Sequence, residues 1–399
     1  MDFALNEDQL DFQQMVREFV EKEITPIAGQ LDEENATRPE LFKIAEQMGL
    51  LNVIVPEEYG GPGLDSVTVA AIYEELGKGC AGVATSMAAN SLATAPVLLA
   101  GNDAQKKMWC DVLNNGGLAA FALTEPGAGS DAGSVSTRAV HDKEKKTYTL
   151  NGTKAFITNG GISNFYVVFA MTDKTQGVKG MSAFLVDAGT PGLSSGNHEN
   201  KMGIRTSNTT DVVLEDCRIP ASALMGAEGE VFEDCIVPKE NLLGDLNKGF
   251  KIAMKTLDMS RTWVACGAVG VAQRAIDEAV AYGKQRVTFG KPILKNQGLQ
   301  FMIADMEIRA ETARQMCAHS LKLMDAGLPY SKESAIAKCY AGDIAVQNAL
   351  DAIQILGGYG YSREYPVEKL LRDAKIFQIY EGANQIQRMV IGKNVIGKF

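Results

Sequence analysis

A carboxylate near the C-terminal end, Glu381, is the first candidate for acid–base chemistry in this sequence. It lies in the segment 379–388, between Tyr380 and Gly382, beside the end of a predicted helix. A carboxylate enclosed in a dry pocket becomes a stronger base and can remove a proton from a substrate. Taken alone, however, a single glutamate near a helix end is typical of a solvated surface. Its role therefore depends on the segments that accompany it.

A glycine-rich segment at residues 121–131 is superficially similar to a dinucleotide-binding loop. Gly127, Gly129 and Gly133 have a suggestive spacing, but the strand–helix unit with a later acidic residue that this motif requires is missing. From this segment alone, a glycine-rich turn in a β domain is the favoured interpretation. Three further segments belong with it in the argument: residues 155–161, 286–292 and 354–360.

The elements that position these segments follow from the hydrophobic period. Helical spacing runs through about the first 115 residues, after a predicted cap at Asn6 with Gln9 three residues later. The period changes to that of strands near residue 119, and helical spacing returns after Gly249. This order predicts an α+β fold with an N-terminal helical domain (1–118), a central β domain (119–247) and a C-terminal helical domain (248–399).

Several local patterns refine this prediction. Residues 147–150 and 153–157 flank Asn151-Gly152, which predicts a hairpin, because Asn-Gly accepts the positive φ angles of a tight turn. Apolar runs at 165–171 and 181–186 predict further strands. In the C-terminal third, one apolar helical stripe consists of Val269, Ala272, Ile276 and Ala279. A second stripe is suggested by Phe301, Ala304, Ile308 and Ala313.

An internal repeat of 18 residues lies at the end of the predicted β domain. Residues 213–230 and 231–248 are identical at seven positions, which indicates a tandem duplication of one strand and its following turn. A tolerated surface extension is the favoured interpretation, since doubling the length of a loop costs only about 0.6 kcal/mol. A lid edge or a partner contact is the alternative.

Composition argues against several classes of function. A net charge of −10 disfavours nucleic acid and anionic membranes as main partners. Three scattered histidines, and seven cysteines without a C-x-x-C pair, argue against a metal centre and predict reduced thiols in a cytosol-like compartment. No secretory or transit peptide is recognisable. No apolar run approaches the roughly 18–20 residues that span a bilayer.

Together, the four segments and residues 379–388 resemble motifs of the acyl-CoA dehydrogenase family, in the same order and over essentially the whole chain. The C-terminal half is most similar to the medium-chain members, and the β domain to the bacterial butyryl-CoA type. The resemblance implies an N-terminal helical domain, a central β-barrel or sandwich-like domain and a C-terminal four-helix bundle. It also implies an FAD-dependent enzyme that dehydrogenates acyl-CoA thioesters in the degradation of fatty or other carboxylic acids.

The resemblance also assigns ligand contacts. Positions along the flavin and its ribityl chain are matched by Phe121, Leu123, Thr124, Gly129, Ser130, Phe156 and Thr158, with Ala383 and Gln385 also expected at the cofactor. Positions that hold the FAD pyrophosphate and adenosine are matched by Arg286, Thr288, Phe289, Gln297, Gln354, Gly357 and Gly358. In the family these two groups come from neighbouring subunits, which implies a homo-oligomer, usually a tetramer. Contacts to acyl-CoA or the edge of the active site are implied for Ser130, Asp258, Arg261 and Gly382.

Glu381 matches the family's catalytic base, which removes the α-proton while the β-hydrogen leaves as hydride to flavin N5. In the family its backbone N–H and a flavin ribityl hydroxyl stabilise the enolate oxygen. Some subfamilies place the base on an earlier helix, where this chain has Ser260, which cannot act as the base.

Two departures from the family pattern concern the pocket. Ala383 replaces a flavin-contacting Thr or Ser, and Trp263 replaces a small aliphatic residue near the acyl group. Core packing is the favoured interpretation of Trp263, and a shortened pocket is the alternative.

The resemblance leaves the direction of the reaction open. Electrons pass to electron-transferring flavoprotein in the dehydrogenases, whereas enoyl-CoA reductases of this fold receive them. A flavin oxidase or monooxygenase is a further alternative, against which Glu381 argues, and the flavin motifs argue against a non-catalytic acyl-CoA-binding protein. A bacterial cytoplasm is expected before a mitochondrial matrix. Chain length, branching and ring content of the acyl group depend on the shape of the pocket.

Overall fold

The computed structural model describes residues 5–225 and 249–397, and eleven α-helices lie within these ranges. The N-terminal helices are α1 (Glu7–Phe19), α2 (Ala28–Glu34), α3 (Pro39–Gln47), α4 (Ser66–Gly79), α5 (Ala81–Ala100) and α6 (Asp103–Asn114). The C-terminal helices are α7 (Gly249–Gln285), α8 (Gln297–Asp325), α9 (Ser331–Leu356), α10 (Val367–Ala374) and α11 (Asn384–Ile396). The predicted order of helices, strands and helices is thereby confirmed.

Helix α1 begins with the capping box that the sequence predicts. Asn6 Oδ1 accepts a hydrogen bond from the Gln9 backbone N–H at 2.9 Å, and Gln9 Oε1 accepts one from the Asn6 N–H at 3.0 Å. Both N–H groups would otherwise lack a partner at the start of the helix.

Helix α5 is largely apolar and carries no charged residue. By length and composition it could cross a membrane, with a mean hydropathy of 1.4, yet 78% of that window is buried inside the protein. The expectation that no apolar segment approaches spanning length is therefore wrong for this helix. Burial of most of the helix within the fold accounts for its composition.

Within the described residues, eight strands between the two helical groups form one mixed sheet. They are β1 (Ala119–Ala122), β2 (Arg138–Asp142), β3 (Thr147–Thr158), β4 (Phe165–Met171), β5 (Met181–Asp187), β6 (Leu193–Ser195), β7 (Thr209–Pro220) and β8 (Leu224–Met225). Their order is β6-β7-β3-β2-β4-β5-β8, and β1 pairs in parallel with β4. The strands predicted at 165–171 and 181–186 are confirmed as β4 and β5.

The hairpin predicted at Asn151-Gly152 is wrong, because β3 continues through both residues. Asn151 pairs with Arg138 of β2, and its side chain accepts a hydrogen bond from the Asp216 N–H of β7 at 2.9 Å. A shift in the β3–β7 register occurs at this point. A Cβ at Gly152 would lie 2.4 Å from Thr137 Oγ1, so the glycine permits close packing there instead of a turn.

Helix α7 connects the C-terminal helices to the rest of the fold, since it packs against α8 and α9 and also against α4 and α5. Its predicted apolar stripe, which includes Val269 and Ile276, is buried. Helices α4 and α7 approach closely, because a Cβ on Gly77 would lie 2.3 Å from the Gly267 carbonyl oxygen. This contact fixes the helical side of the cavity described below.

The second predicted stripe, on α8, is divided in the structure. Ala313 is buried, but Phe301, Ala304 and Ile308 are exposed. The helical period was predicted correctly and the buried face was not. The residues that α8 buries are Met306, Ala310, Ala313, Cys317, Ser320 and Leu321.

A small hairpin of β9 (Val287–Thr288) and β10 (Lys291–Pro292) joins α7 to α8. Phe289 lies at its tip with a φ of 51° and a fully exposed side chain. Residues 213–225 of the first copy of the 18-residue repeat form most of β7, a short turn and β8. The rest of that copy, the whole second copy and the expected boundary at 247/248 lie outside the described residues.

Candidate active site

A cavity of about 420 Å³ opens between the sheet, helices α4, α5 and α7, and the segment that leads into α11. It brings together most of the contacts expected for the flavin and for acyl-CoA. The expected residues that line it are Phe121, Leu123, Thr124, Gly129, Ser130, Phe156, Thr158, Arg261, Glu381 and Gly382. The cavity is thus where a flavin, an acyl group and a candidate base could meet.

Glu381 lies in a tight left-handed turn between a 3₁₀ turn (Lys375–Gln378) and α11. Its φ is 54°, and that of Gly382 is 87°. A Cβ on Gly382 would lie 2.5 Å from Gln387 Nε2, which donates hydrogen bonds to the carbonyl oxygens of Glu381 (2.9 Å) and Gly382 (3.0 Å). A left-handed glutamate is rare, so these contacts must stabilise the turn.

Lys338 of α9 also stabilises the turn that contains Glu381 and Gly382. Its Nζ donates to the Gly382 carbonyl oxygen at 2.7 Å and to Asn384 Oδ1 at 3.1 Å. Burial lowers the pKa of Lys338 to about 8, while the nearby Glu381 carboxylate acts in the opposite direction. Lys338 is not among the site residues predicted from the sequence. Its signal is a lysine among the buried small side chains of α9, such as Ala337 and Ala341.

The Glu381 carboxylate is held by α7. Ser260 Oγ donates a hydrogen bond to Glu381 Oε2 at 2.8 Å. Burial raises the pKa of Glu381 above its ordinary value, and the Ser260 hydrogen bond and the charges of Arg261 and Lys338 oppose this only in part. A carboxylate with a raised pKa beside an apolar cavity is suited to accept a proton from carbon.

Beneath the glycine-rich segment of the β domain, Glu125 forms a buried network. Its carboxylate accepts hydrogen bonds from the N–H and hydroxyl groups of Ser136 and Thr137 and from Lys154 Nζ at 2.7 Å. Burial would raise the pKa of Glu125, but the Lys154 ammonium and these hydroxyl donors outweigh it and lower the pKa to about 2. The network fixes the base of the segment that carries Thr124 and Gly129.

FAD, which the resemblance implies, suits the β side of this cavity. A Cβ added at Gly127 or Gly129 would meet no atom within 4 Å, so a ligand can approach the backbone there. Phe156 lines the cavity with 66% of its surface exposed, although it is a large apolar residue. A flat ring placed against Phe156, with polar groups along the glycine-rich segment, would use both features.

The expected adenosine contacts lie elsewhere in the chain. Arg286, Thr288, Gly357 and Gly358 line a second, open cavity of about 600 Å³, where the Arg286 guanidinium lies 5.6 Å from the centre of the Tyr359 ring. The remaining expected contacts line neither cavity: Phe289, Gln297, Gln354, Ala383, Gln385 and Asp258. The expected cofactor contacts that do line a cavity therefore form two separate groups within one chain.

Two expected residues have roles that differ from a simple ligand contact. Asp258 lies behind Arg261, with Oδ1 at 3.0 Å from Arg261 Nη1, and accepts a hydrogen bond from Ser331. Trp263 is 3% exposed and packs in the helical core, as favoured from the sequence, but it also lines the cavity. The two interpretations of Trp263 are thus compatible.

Comparisons with known proteins agree with this architecture. Family models named acyl-CoA dehydrogenase N-terminal, middle and C-terminal domain match residues 6–117, 120–217 and 247–396. A short-chain specific acyl-CoA dehydrogenase of Megasphaera elsdenii is 44% identical over 397 residues, covering 98% of this chain and 99% of that protein. An acryloyl-CoA reductase (NADH) of Anaerotignum propionicum is 42% identical over 397 residues, covering 99% and 96%. A solved structure from work on the electron transferring flavoprotein of Acidaminococcus fermentans is 42% identical to this chain. Its TM-score is 0.93, and the match covers 100% of both chains. The chain belongs to the acyl-CoA dehydrogenase family, whose members are FAD-dependent oxidoreductases.

Proposed function

We propose that Glu381 removes the α-proton of a short acyl-CoA thioester, and that the enzyme thereby dehydrogenates the α,β carbon–carbon bond. The observation that carries this proposal is the Glu381 carboxylate, which lines the cavity, accepts a hydrogen bond from Ser260 and has a pKa raised by burial. A proton on the carbon beside a thioester carbonyl is weakly acidic. Its removal therefore requires a strong base and fixed donors for the developing enolate oxygen, and we assign the Glu381 backbone N–H as one donor.

Bound FAD supplies the acceptor for the β-hydride. We assign its flavin to the β-domain residues that line the same cavity as Glu381, namely Phe121, Leu123, Thr124, Gly129, Ser130, Phe156 and Thr158. Arg261 lines the same cavity and lies beside Glu381, where its charge favours an anionic substrate or enolate.

We propose that the protein is a homo-oligomer, and specifically a tetramer. Arg286, Thr288, Gly357 and Gly358 line a cavity separate from that of Glu381, as expected if they hold the adenosine end of a cofactor bound to a neighbouring subunit. The single chain also exposes large apolar side chains that an interface would cover, among them Phe289, Phe301 and Ile308.

Electron-transferring flavoprotein is the proposed electron partner, because the solved structure described above comes from work on such a flavoprotein. A reductase that converts a 2-enoyl-CoA to the saturated thioester is the second candidate, favoured by the similarity to an acryloyl-CoA reductase. Reoxidation of the reduced enzyme distinguishes the two. Rapid transfer to electron-transferring flavoprotein favours dehydrogenation, and faster reoxidation by crotonyl-CoA favours reduction.

We also propose a location in the cytoplasm. The described cysteines are all free and buried: Cys80, Cys110, Cys217, Cys266, Cys317 and Cys339. Reduced thiols of this kind are typical of a reducing compartment.

Anaerobic bleaching of the flavin by butanoyl-CoA tests the function directly. The E381Q variant should retain flavin and bind acyl-CoA, but acyl-CoA should reduce its flavin about 10²- to 10⁴-fold more slowly than in the wild type. E58Q, which alters an exposed carboxylate outside the cavity, is the matched control and should react like the wild type. Near-normal reduction in E381Q would show that another group is the base.

A further inference from the structure

The guanidinium of Arg261 is fixed by neighbours on its own helix, α7. Its Nε donates a hydrogen bond to the Leu257 carbonyl oxygen at 2.9 Å, and its Nη1 lies 3.0 Å from Asp258 Oδ1. The second contact is an ion pair without the alignment of a hydrogen bond. Because Arg261 lines the cavity with 7% of its side chain exposed, Nη2 is the guanidinium nitrogen left to border the cavity.

Asp258 is itself held from α9. Ser331, the first residue of that helix, donates a hydrogen bond from Oγ to Asp258 Oδ1 at 3.1 Å. Ser331 precedes Lys338 by seven positions, about two helical turns, so both residues lie on the same face of α9. This face of α9 therefore supports the site twice, at the turn that contains Glu381 and at the carboxylate behind Arg261.

The charge of Arg261 acts on the candidate base. Arg261 follows Ser260, which is hydrogen-bonded to Glu381, and its charge lowers the pKa of Glu381 against the effect of burial. Lys338 is the other cation that lowers this pKa, and the Tyr380 hydroxyl keeps its proton because burial raises its own pKa. A cation that pairs closely with a carboxylate lowers the carboxyl pKa by about 1–3 pH units, which makes a weaker base.

Two carboxylates act on Arg261, those of Asp258 and Glu381. Tyr330 also lies near, but burial raises its pKa to about 12, so its hydroxyl is neutral at pH 7. The two carboxylates thus compete for one guanidinium, and Asp258 holds it at 3.0 Å. Asp258 does not line the cavity, so its carboxylate is placed to act on Arg261 rather than on the acyl group.

We infer that Asp258, held by Ser331, is a positioning residue that keeps the Arg261 guanidinium from pairing with Glu381, so that the Glu381 carboxylate stays free to take a proton. This role differs from the acyl-CoA contact expected for Asp258 from the sequence. The inference rests on the proposed function, because a free carboxylate matters to the reaction only if Glu381 is the base.

Titration of Glu381 in the oxidised holoenzyme tests the inference without turnover. Infrared difference spectra between each variant and the same variant with E381Q isolate the carboxyl band of Glu381. D258N should lower the pKa of Glu381 by about one pH unit or more, because Arg261 can then pair with it, and D258E should restore the titration. An unchanged titration in D258N would overturn the inference. If D258N does not fold, an unchanged titration in S331A would do so.

The R261Q background shows whether Asp258 acts through Arg261. There, adding D258N should shift the titration by less than half as much as in the wild type, and a larger shift would overturn the positioning role. D277N is the matched control, because Asp277 lies on the same helix and pairs with Lys78 at 2.8 Å without lining the cavity. A shift in D277N as large as that in D258N would also overturn the assignment.

Acyl-CoA binding separates positioning from a ligand contact. Adding D258N to E381Q should change the Kd of butanoyl-CoA, measured by calorimetry, by less than about three-fold, and a larger loss would overturn the inference in favour of a ligand contact. In D258N alone, butanoyl-CoA should reduce the flavin about ten-fold more slowly, because the base is weaker. Near-normal flavin reduction in E381Q would overturn the proposed function alone, since the titration of Glu381 does not depend on turnover.

Discussion

Ser260 Oγ donates a hydrogen bond to Glu381 Oε2 at 2.8 Å, across 121 positions of sequence. From the sequence, Ser260 matters only as a position where a rival base could have stood. In the structure it contacts the candidate base directly. A hydroxyl donor stabilises the charged carboxylate, so Ser260 limits the rise in the pKa of Glu381 that burial causes.

The S260A variant should therefore raise the pKa of Glu381 further. A hydrogen bond to a charged group contributes about 1.5 kcal/mol, which corresponds to about one pH unit. Proton removal requires the carboxylate, so the rise of the flavin-reduction rate with pH should move to higher pH. Anaerobic stopped-flow across pH 5–9 measures this shift. S260T keeps the hydroxyl and should restore the profile, and an unchanged profile in S260A would contradict the role.

Lys338 should matter for the same carboxylate in a different way. The K338M variant removes the donor to the Gly382 carbonyl oxygen and a positive charge that lowers the pKa of Glu381. The turn that presents Glu381 should loosen, and flavin reduction should slow by up to about 100-fold.

The readout for Lys338 is the rate of reduction together with its pH profile, which should again move to higher pH. K43M, which changes an exposed lysine of α3, is the control. If K338M lowered the thermal stability but left the rate of flavin reduction and its pH profile unchanged, the role of Lys338 would be structural only.

The buried pair of Glu125 and Lys154 should dominate the acid stability of the β domain. E125Q leaves Lys154 without its charged partner and should lower the free energy of unfolding by about 3–5 kcal/mol. Urea unfolding at pH 7 measures this loss. E125Q/K154M removes both charges and should recover part of it, whereas equal losses in the single and double variants would contradict the pairing.

The pH dependence of stability follows from the same pair. The folded pKa of Glu125 is lowered from 4.5 to about 2. Its contribution to stability should be fully present above pH 4.5 and lost as the pH falls from 4.5 towards 2. In E125Q that part of the acid sensitivity should disappear from urea midpoints measured between these values.

Local signals predicted the parts of the fold that depend on neighbouring residues. The capping box of Asn6 and Gln9 involves atoms three positions apart, so the sequence contains all of its determinants. The exposed positions of Phe301 and Ile308 could not be derived in this way. Which face of α8 is buried depends on the helices beside it, and apolar residues intended for an interface have the same period as those of a core.

The Asn151-Gly152 pair failed for a related reason. Its turn preference is real but weak, and pairing with β2 on one side and β7 on the other outweighs it. At the site, family motifs brought Glu381 and the glycine-rich segment to attention. The hydrogen bonds of Lys338 and Ser260 join elements that are 44 and 121 positions apart in the sequence, which no local pattern encodes.

The two indoles divide the intrinsic fluorescence of the protein between two regions. Trp109 lies on α6 against Phe165 of the sheet, with ring centres 5.9 Å apart, and Trp263 lies on α7 and lines the cavity. W109F leaves emission only from the cavity, and W263F leaves emission only from the α6–sheet contact. Unfolding followed in these two variants would report whether the β domain and the helical bundle lose their structure in one transition or in two.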